Sequence, residues 1–573
     1  MIARFLSVLM VLAPVTLAKE SAREKIPTFN RDIAPIVFGQ CVECHHPGGT
    51  APFSLASYAE VKKRAKLIAR VVGTKYMPPW MPEPGHGDFV GARLLTDAQI
   101  ALIDRWAKAG TVEGPAADLQ VKPQWKKDWQ LGTPDLVVTL PVAYTLPADG
   151  KDVYRNFVIP DVVPEDRYLR ASEFNPGATG AIHHAFVLLD DEGGAQRRAT
   201  RESEPGFPGM DTAGAGASDA MFMGWQPGKR PAEAPPGLAA VLRKGTDLVL
   251  QLHMRPTGKI EKIQPSVALY FSDKPPTRSA MLIALRVVDI DIAPGLDNYS
   301  IETSYELPVD VELLAISPHL HYLGKEVRGW ADLPDGSRRD LILIKKWDFN
   351  WQGDYRYSTP VLLPMGSRLH ARFTYDNSAS NERNPNQPPR RVTYGLQSSD
   401  EMGELWFQIL PRNSDELDTL KRDCVKNLGL PDAIAWANAM LRNDPKDAVS
   451  RAKLGAALAV AGRMVEASRA LKQAIVDDPN LARAHYVLGQ IYCKQQNWAE
   501  ARKVLERTVE LEPENGRAQN DLGSVLLTVG EVQKAIPHFE KAVQVMPRDP
   551  LAQQNLAKAQ AIAREQSAAG NAP

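Results

Sequence analysis

The sequence predicts a multidomain protein with a small all-α domain, then two β-sandwich domains, then an α-solenoid of helical repeats. Three observations predict this order. Amphipathic patterns with helix caps occupy the first part of the chain, short apolar runs divided by Gly, Pro and Asp fill residues 133–412, and a helical pattern with a fixed period follows. At 573 residues the chain is also too long for one hydrophobic core.

The balance of positive and negative side chains indicates which kinds of partner the chain can attract. Lys plus Arg and Asp plus Glu each number 68, so the formal net charge is zero. Such a chain has no global field that would attract nucleic acid or an anionic membrane. We therefore expect no nucleic-acid partner.

Residues 1–18 have the pattern of a cleavable signal peptide. Arg4 is followed by a short apolar run, Phe5 to Leu12, and the segment closes on small residues at Ala18. An uncleaved membrane helix is the alternative, but the run is shorter than the ~20 apolar residues of a bilayer span. We expect export to a periplasm or the cell exterior, with no membrane span after cleavage.

The predicted α-domain, residues 23–120, contains a Cys-Val-Glu-Cys-His motif at residues 41–45. With this spacing Cys41 and Cys44 can form thioethers with haem vinyl groups while His45 ligates the iron. A zinc half-site and a redox disulfide are the alternatives, but the chain has only four cysteines and no second pair completes a zinc set. We expect one covalently bound haem c.

The second axial ligand of this haem is expected on the proline-rich loop 75–82. Met77 is the first candidate and Met81 the second, because ligation by Met and His raises the haem potential and suits electron transfer. His46 and His86 are further options.

Helices are predicted around the haem at Leu55–Val72 and from the capping residue Thr96 to Ala109, before Gly110. The segment resembles the small c-type cytochrome domains of multidomain bacterial secreted proteins, through its haem motif and the run Met-Pro-Pro-Trp at residues 77–80.

Residues 133–412 have many short apolar or alternating runs and few helical patterns, which favours β-sandwich or barrel architecture. About 280 residues fit two sandwiches better than one, and we place them at 133–272 and 273–412. The predicted strands are Leu136–Leu140, Tyr154–Pro160, Tyr168–Phe174, Ile182–Leu189, Asp247–Met254, Ser266–Phe271, Val311–Leu314 and Arg368–Tyr375.

Five of the eleven histidines of the chain lie on three apolar runs of this region. His183 and His184 are adjacent, although adjacent residues on a strand point to opposite faces, and His253 lies on a later run. His319 and His321 are two apart and so face the same way on a strand. Converging imidazoles favour a metal such as copper or zinc, and five independently buried histidines are the alternative.

The order of these motifs resembles the copper type II, ascorbate-dependent monooxygenases, which include the peptidylglycine hydroxylases and dopamine β-monooxygenases. The resemblance runs through the two adjacent histidines, the Leu-His-Met context of the third, the His-Leu-His-Tyr-Leu-Gly-Lys run at residues 319–325 and the Asp-Glu-Met run at residues 400–402. It implies two jelly-roll sandwiches that hold two copper ions. The implied ligands of the electron-transfer copper are His183, His184 and His253, and those of the catalytic copper, where dioxygen is activated, are His319, His321 and Met402.

The ligand types suit these roles independently of the family. Two imidazoles and a thioether favour Cu(I), the state that reacts with dioxygen, whereas three imidazoles tolerate both oxidation states.

The chain also departs from the family. Residues 133–412 contain no cysteine, so the disulfides of animal members are missing. Ser317, Glu404 and Trp406 lie where the peptide-amidating branch holds a substrate carboxylate, which an acidic side chain should repel. We therefore expect no peptide amidation, and the substrate stays open.

Residues 413–565 repeat with a period of 34 residues. The Leu-Gly pairs at 454–455, 488–489 and 522–523 keep this spacing, as do Ala467, Ala501 and Ala535. A helix-turn-helix repeat of this length with small residues at the helix crossings is the tetratricopeptide pattern. Such arrays bind peptides or partner domains on a concave surface, and a purely structural array is the alternative.

These features predict an exported copper-dependent monooxygenase that hydroxylates a C–H bond of an unknown organic substrate with dioxygen. An electron donor would supply electrons to this enzyme through the covalently attached haem. One alternative is a non-catalytic haem and copper electron-transfer or scaffold protein that uses the repeats to bind a partner. Another keeps the fold but performs a different copper redox reaction, such as peroxide chemistry.

Overall fold

The computed structural model describes residues 25–49, 51–126, 129–177, 180–547 and 549–570. The predicted signal peptide lies outside these residues. The described residues form two compact units. The first comprises residues up to 80 together with 93–126, and the second comprises residues 81–92 together with those after 126.

The first unit is helical. Its core includes Ile33, Val37 and Trp106. Thr96 caps the last helix through a capping box with Gln99, as the sequence predicts, and the helix ends before Gly110. The helices are α1 (Ala34–Gln40), α2 (Tyr58–Lys63), α3 (Ala65–Gly73) and α4 (Asp97–Lys108), with a π-helical turn at Phe29–Ile33 and a 3-10 turn at Ala116–Asp118.

One helix prediction in this unit is wrong in its extent. The expected helix Leu55–Val72 begins only at Tyr58, and Arg64 divides it into α2 and α3. Arg64 leaves the helical conformation, with φ −114° and ψ 9°, and its guanidinium lies 4.3 Å from the centre of the Phe53 ring. The break therefore coincides with a cation–π contact outside the helix.

The second unit begins with a β-rich region in which all eight predicted runs are strands. The run that starts at Val311 continues to Leu320, beyond its predicted end. The strands before residue 273 are β1 (Leu136–Thr139), β2 (Tyr144–Leu146), β3 (Val153–Ile159), β4 (Arg167–Asn175), β5 (Ile182–Asp190), β6 (Phe207–Pro208), β7 (Gly224–Trp225), β8 (Ala240–Leu242), β9 (Asp247–Met254), β10 (Glu261–Ile263) and β11 (Ser266–Ser272), with helix α5 (Gly194–Ala199) between β5 and β6.

These strands form two large sheets around one core. The orders are β1-β11-β4-β8 and β6-β3-β9-β5-β7, and β10 pairs with β2. The core takes Phe157 and Leu250 from one sheet and Leu169 and Leu269 from the other. All eight residues of β9 are buried, because one face meets this core and the other meets a smaller cluster that includes Phe207.

The strands after residue 273 form a second pair of large sheets. Their orders are β12-β21-β15-β18 and β14-β19-β16-β17, and β13 pairs with β20. The sheets approach closely at Gly329, where a Cβ atom would lie 2.7 Å from Leu405. The strands are β12 (Met281–Val287), β13 (Asp291–Ile292), β14 (Tyr299–Glu306), β15 (Val311–Leu320), β16 (Gly324–Asp332), β17 (Arg338–Ile344), β18 (Tyr355–Leu363), β19 (Arg368–Tyr375), β20 (Val392–Thr393) and β21 (Gly403–Pro411).

The remaining residues form a helical array with the predicted period. The helices α8, α10, α12 and α14 begin at residues 448, 482, 516 and 550, 34 residues apart. Gly489 allows the crossing of a helix pair, since a Cβ atom there would lie 2.8 Å from Leu505. The helices are α6 (Ser414–Cys424), α7 (Leu430–Asn443), α8 (Ala448–Val460), α9 (Met464–Asp477), α10 (Ala482–Lys494), α11 (Trp498–Leu511), α12 (Gly516–Thr528), α13 (Val532–Val545) and α14 (Pro550–Gly570), with a π-helical turn at Val425–Gly429.

Within the described ranges, no helix has the length and apolar character that crossing a bilayer requires.

Candidate metal centres

A β-bulge explains how two adjacent histidines reach the same side of a sheet. In the pairing of β5 with β9, Ile182 is opposite Met254 and His184 is opposite His253, so the register shifts at His183. A bulge places two residues of one strand opposite one residue of the other and breaks the alternation of faces. His183 and His184 can therefore both approach His253.

These three residues, which we call the histidine triad, bring ligand atoms together. One possible ligand atom from each of His183, His184 and His253 lies within 4.8 Å of the others. A metal–imidazole bond is about 2.0–2.1 Å long. Each ligand atom would therefore have to move by under about 1 Å toward a common centre to bind one ion. The Nδ1 atom of each ring is buried and has no hydrogen-bond partner. Buried polar atoms are normally paired, so these nitrogens fit the ligands of a borderline metal ion.

Burial keeps two of the triad rings neutral. It lowers the pKa of His183 to about 4, and the proximity of His253 adds to the effect. It lowers the pKa of His184 well below its usual value for the same reason. A neutral imidazole has the lone pair that a metal requires, so these rings are ready to bind at neutral pH.

Asp152 and Tyr154 orient the third ring. The Asp152 carboxylate lies 2.8 Å from Nε2 of His253. This hydrogen bond lowers the pKa of Asp152, so the carboxylate stays charged and accepts from the ring. The proton is thereby held on Nε2 and the lone pair on Nδ1. Tyr154 stacks on the same ring at 4.2 Å between centroids.

His319 and His321 lie at the end of β15, with ring centroids 5.2 Å apart. Nδ1 of His321 is 3.1 Å from the Asp400 carbonyl oxygen, which can only accept, so this nitrogen donates and the lone pair is on Nε2. Burial lowers the pKa of His321 to about 3. Nδ1 of His319 contacts Oε1 of Gln352, which places its lone pair on Nε2 as well.

Met402 lies beside this pair along the backbone. The ladder between β15 and β21 ends at Leu320 opposite Gly403, one residue before His321 and one residue after Met402. The buried Glu401 carboxylate accepts hydrogen bonds from the backbone N–H groups of His321, Leu323 and Met402. The backbone of Met402 thus lies beside that of His321 at one end of the sheet, and we call His319, His321 and Met402 the second cluster.

A loop that the sequence did not indicate contacts both sets of histidines. This bridging loop, residues 347–352, lies within the connection from β17 to β18. The Phe349 ring stacks on His183 at 5.1 Å and meets His321 edge-on at 5.7 Å. Asn350 lies beside His183, while Gln352 holds His319. No local periodicity marks these residues, and only their aromatic and amide character could have drawn notice.

Glu404 is not the free negative charge that the sequence suggested. Its carboxylate lies 2.8 Å from Nε of Arg286 and accepts from the indole N–H of Trp406 at 2.8 Å. The Arg286 guanidinium also lies over the Trp406 ring. Because Arg286 neutralises Glu404, the expected repulsion of a substrate carboxylate loses its physical basis.

The haem motif lies at the end of α1 in the first unit. The N–H groups of Cys44 and His45 both donate to the Cys41 carbonyl, so the three residues share one tight turn. Nδ1 of His45 lies 3.0 Å from the Phe53 carbonyl oxygen and must donate to it, so Nε2 carries the lone pair that an iron would need. Burial lowers the pKa of His45 and keeps the ring neutral. These residues fit a covalently attached haem.

The two methionine candidates lie in different units. Met77 belongs to the first unit with the haem motif, and its N–H donates to Val71. Met81 belongs to the second unit, where its Sδ atom accepts the N–H of Asp348 at 3.3 Å. This contact occupies the Met81 thioether, which favours Met77 as the haem ligand.

The family models that match this chain cover its C-terminal repeats. The tetratricopeptide repeat family matches residues 486–553, and anaphase-promoting complex, cyclosome, subunit 3 matches residues 427–508. No curated protein matches the chain. A crystal structure of MamA is 27% identical, with 26% of this chain and 82% of that chain covered and a TM-score of 0.22. MamA from residue 41 onward of Desulfovibrio magneticus RS-1 is 23% identical, with 27% and 86% covered and a TM-score of 0.23.

The family matches and the spacing of the helices agree. Helices that begin every 34 residues from 448 to 550 cover the region that the tetratricopeptide repeat family matches. Arrays of this kind present a surface to other proteins, which indicates a protein-interaction or scaffold role. The C-terminal region of this chain is a tetratricopeptide repeat array.

Proposed function

We propose that this protein is an exported copper-dependent monooxygenase that hydroxylates a C–H bond with dioxygen and receives electrons through a covalently attached c-type haem. The histidine triad carries the proposal, because three rings from two strands converge on buried nitrogens without partners. Histidines buried only for packing need no such convergence. The two pairs of sheets suit the two jelly-roll sandwiches of the family that the sequence resembles.

His183, His184 and His253 would hold the electron-transfer copper. Three imidazoles tolerate both Cu(I) and Cu(II), which suits transfer of one electron at a time. Asp152 holds the His253 ring in one orientation, and burial keeps the other rings neutral. The chain thus holds its donor atoms in place before and after each electron.

His319, His321 and Met402 would hold the second copper. Copper bound there would supply activation of dioxygen, since two imidazoles and a thioether favour Cu(I). Gln352 holds the first ring, and Glu401 keeps the backbone of the other two ligands together. The substrate is an organic molecule that presents a C–H bond beside this cluster.

Cys41 and Cys44 would attach the haem, with His45 and Met77 as its axial ligands. The haem would supply single electrons from an external donor. Localisation in a periplasm or outside the cell would follow from the signal-peptide pattern of residues 1–18. The repeats would bind a protein partner, such as a donor or an anchoring protein.

The test is the metal content of the purified chain and of matched variants. We expect two coppers and one haem per chain by elemental analysis and the pyridine haemochrome spectrum. His253→Ala should lose one copper, and Met402→Ile should abolish hydroxylation while the triad copper stays bound. His370→Ala, which changes a histidine of β19 outside both clusters, should keep both coppers.

Absence of copper from the intact, metal-reconstituted chain would overturn the proposal. Oxygen consumption against a panel of organic substrates then identifies the reaction. Peroxide turnover without oxygen-dependent product would instead support other copper redox chemistry on the same fold.

A non-catalytic scaffold is the second candidate, and the family matches to the repeats favour it. In that case the metals would transfer electrons to a bound partner without oxygen chemistry. Copper and haem would then be present, but no hydroxylated product would form with any substrate, with or without a partner protein.

A further inference from the structure

The two sets of histidines are in contact with the same six-residue segment. Phe349 is 3% exposed and has one ring from each set against it, His183 on its face and His321 at its edge. The planes of Phe349 and His183 are 23° apart, and those of Phe349 and His321 are 85° apart. A buried ring packed on both sides cannot turn unless its neighbours move.

Polar side chains of the same segment lie beside both sets. Gln352 contacts Nδ1 of His319, the Trp347 indole N–H donates to the His321 carbonyl at 3.1 Å, and Asn350 lies beside His183. Gln352 also donates to the Phe349 carbonyl at 3.0 Å, so the loop is connected internally.

The bridging loop is itself anchored. The Asp348 carboxylate accepts hydrogen bonds from the Asn350 backbone N–H and, at 2.9 Å, from Arg383. The backbone N–H of Asp348 donates to Sδ of Met81. Arg383 also donates to the Trp347 carbonyl. A loop held on both sides can transmit a displacement instead of absorbing it.

We infer that the bridging loop couples the two candidate metal centres, with Phe349 as the positioning residue between them. The inference rests on the proposed function, because it concerns copper at both places. Copper ligation by His319 and His321 would hold these two rings in one arrangement, and Gln352 and the packed Phe349 ring would transmit that arrangement to His183. His183 would then already lie in the orientation that the triad needs, so a second copper would bind there more tightly.

The coupling is measurable as a binding constant, without turnover. Cu(I) is titrated anaerobically into the full chain against a chelator of known affinity. His319→Ala reports the triad alone and His253→Ala reports the second cluster alone. We expect the two-ion binding constant of the unaltered chain to exceed the product of the single-centre constants by a factor in the range of about 5–150, as for typical coupled sites.

Phe349→Leu removes the ring and should remove most of this factor, while each centre alone still binds Cu(I). The matched control is Phe186→Leu, since Phe186 is 44% exposed and its ring lies 5.5 Å from that of His184 only. This control should keep the full factor. Phe349→Met, which fills a similar volume without a ring, replaces the leucine variant if that chain does not fold.

Independent binding in the unaltered chain, or coupling that survives in both Phe349 variants, would overturn the inference. Loss of coupling in Phe186→Leu as well would also overturn it, because the effect would not belong to the bridging loop. Failure of either centre to bind copper would overturn the proposed function itself, which distinguishes the two results.

Discussion

At the residue scale, the Nε2 atom of the buried His253 ring forms a hydrogen bond with the Asp152 carboxylate. Asp152 accepts from Nε2 at 2.8 Å and so fixes which nitrogen faces the triad. A carboxylate behind a metal-bound imidazole orients the ring and increases its basicity. On the proposed function, Asp152, whose side chain is 27% exposed, would contribute to the affinity of the triad for copper.

Asp152→Asn should weaken copper binding at the triad by about 10–100-fold, because the amide is a poorer acceptor and permits the other tautomer. Competitive Cu(I) titration of the His319→Ala chain, which isolates the triad, measures the change. Asp149→Asn, at an exposed position three residues earlier, is the control and should bind as before. Equal affinities for the two variants would contradict the role of Asp152.

At the element scale, a short segment departs from the predicted domain boundaries. The strap, residues 81–92, was expected within the α-domain 23–120, yet it packs with the β-rich unit. Phe89 pairs with Tyr357 in an antiparallel bridge and lies against the rings of Tyr355 and Tyr357. The cause is tertiary, since these aromatic partners lie more than 260 residues away in the sequence.

Phe89→Ala should release the strap, because truncation of a buried Phe costs about 3–5 kcal/mol. Hydrogen exchange should then rise at the Val90 amide, which donates to the Arg356 carbonyl at 2.9 Å, and at the Glu83 amide, which donates to the Leu343 carbonyl.

The neighbouring side chain supplies the control for this change. Val90 is 59% exposed, so Val90→Ala should leave exchange in the strap unchanged. If Phe89→Ala exchanged at the same rate as the unaltered chain, the strap would not depend on this aromatic contact.

At the scale of the whole molecule, the first helices of the repeat array pack on the β-rich region. Tyr305 of β14 donates to the Asp423 carboxylate at 2.6 Å, and the Cys424 thiol of α6 donates to the Tyr305 oxygen. Asp432 of α7 lies near Arg286 of β12 and Glu404 of β21. The array is therefore joined to the sheet that carries His319.

The junction has a pH dependence of known sign. Burial raises the pKa of Asp432 to about 6 from its ordinary 3.8, with Arg286 opposing the shift and Glu404 adding to it. The folded state therefore favours the protonated carboxyl. The stabilising effect of this preference is fully present below about pH 4 and is lost as the pH rises through about 6. Above that pH the buried, charged carboxylate destabilises the folded state.

Asp432→Asn should raise the free energy of unfolding above pH 6 by roughly 1–2 kcal/mol. This figure is smaller than the full pKa shift would give, because the side chain is partly exposed and solvent screens its charge. The gain should vanish near pH 4. Urea unfolding between pH 4 and 8 measures it, with Asp418→Asn on the exposed face of α6 as the control. A gain that did not depend on pH would contradict the assignment to this carboxyl.

Much of the architecture follows from local pattern. Alternating apolar runs identified all eight predicted strands, and the spacing of Gly455, Gly489 and Gly523 identified the repeat length. These features depend on neighbours along the chain, since strands alternate every second residue and helices repeat every turn. The haem motif at residues 41–45 and the histidine positions could be named for the same reason.

Other features of the candidate site depend on residues far apart in sequence. The sequence by itself determined which residue types lie on which elements, and hence the histidines, the haem motif and the repeats. Only the tertiary structure decided that a bulge at His183 turns the adjacent histidines toward His253, that Arg286 neutralises Glu404, and that Phe349 lies between His183 and His321. These are through-space contacts between distant strands and loops, and no local periodicity encodes which side chains will meet.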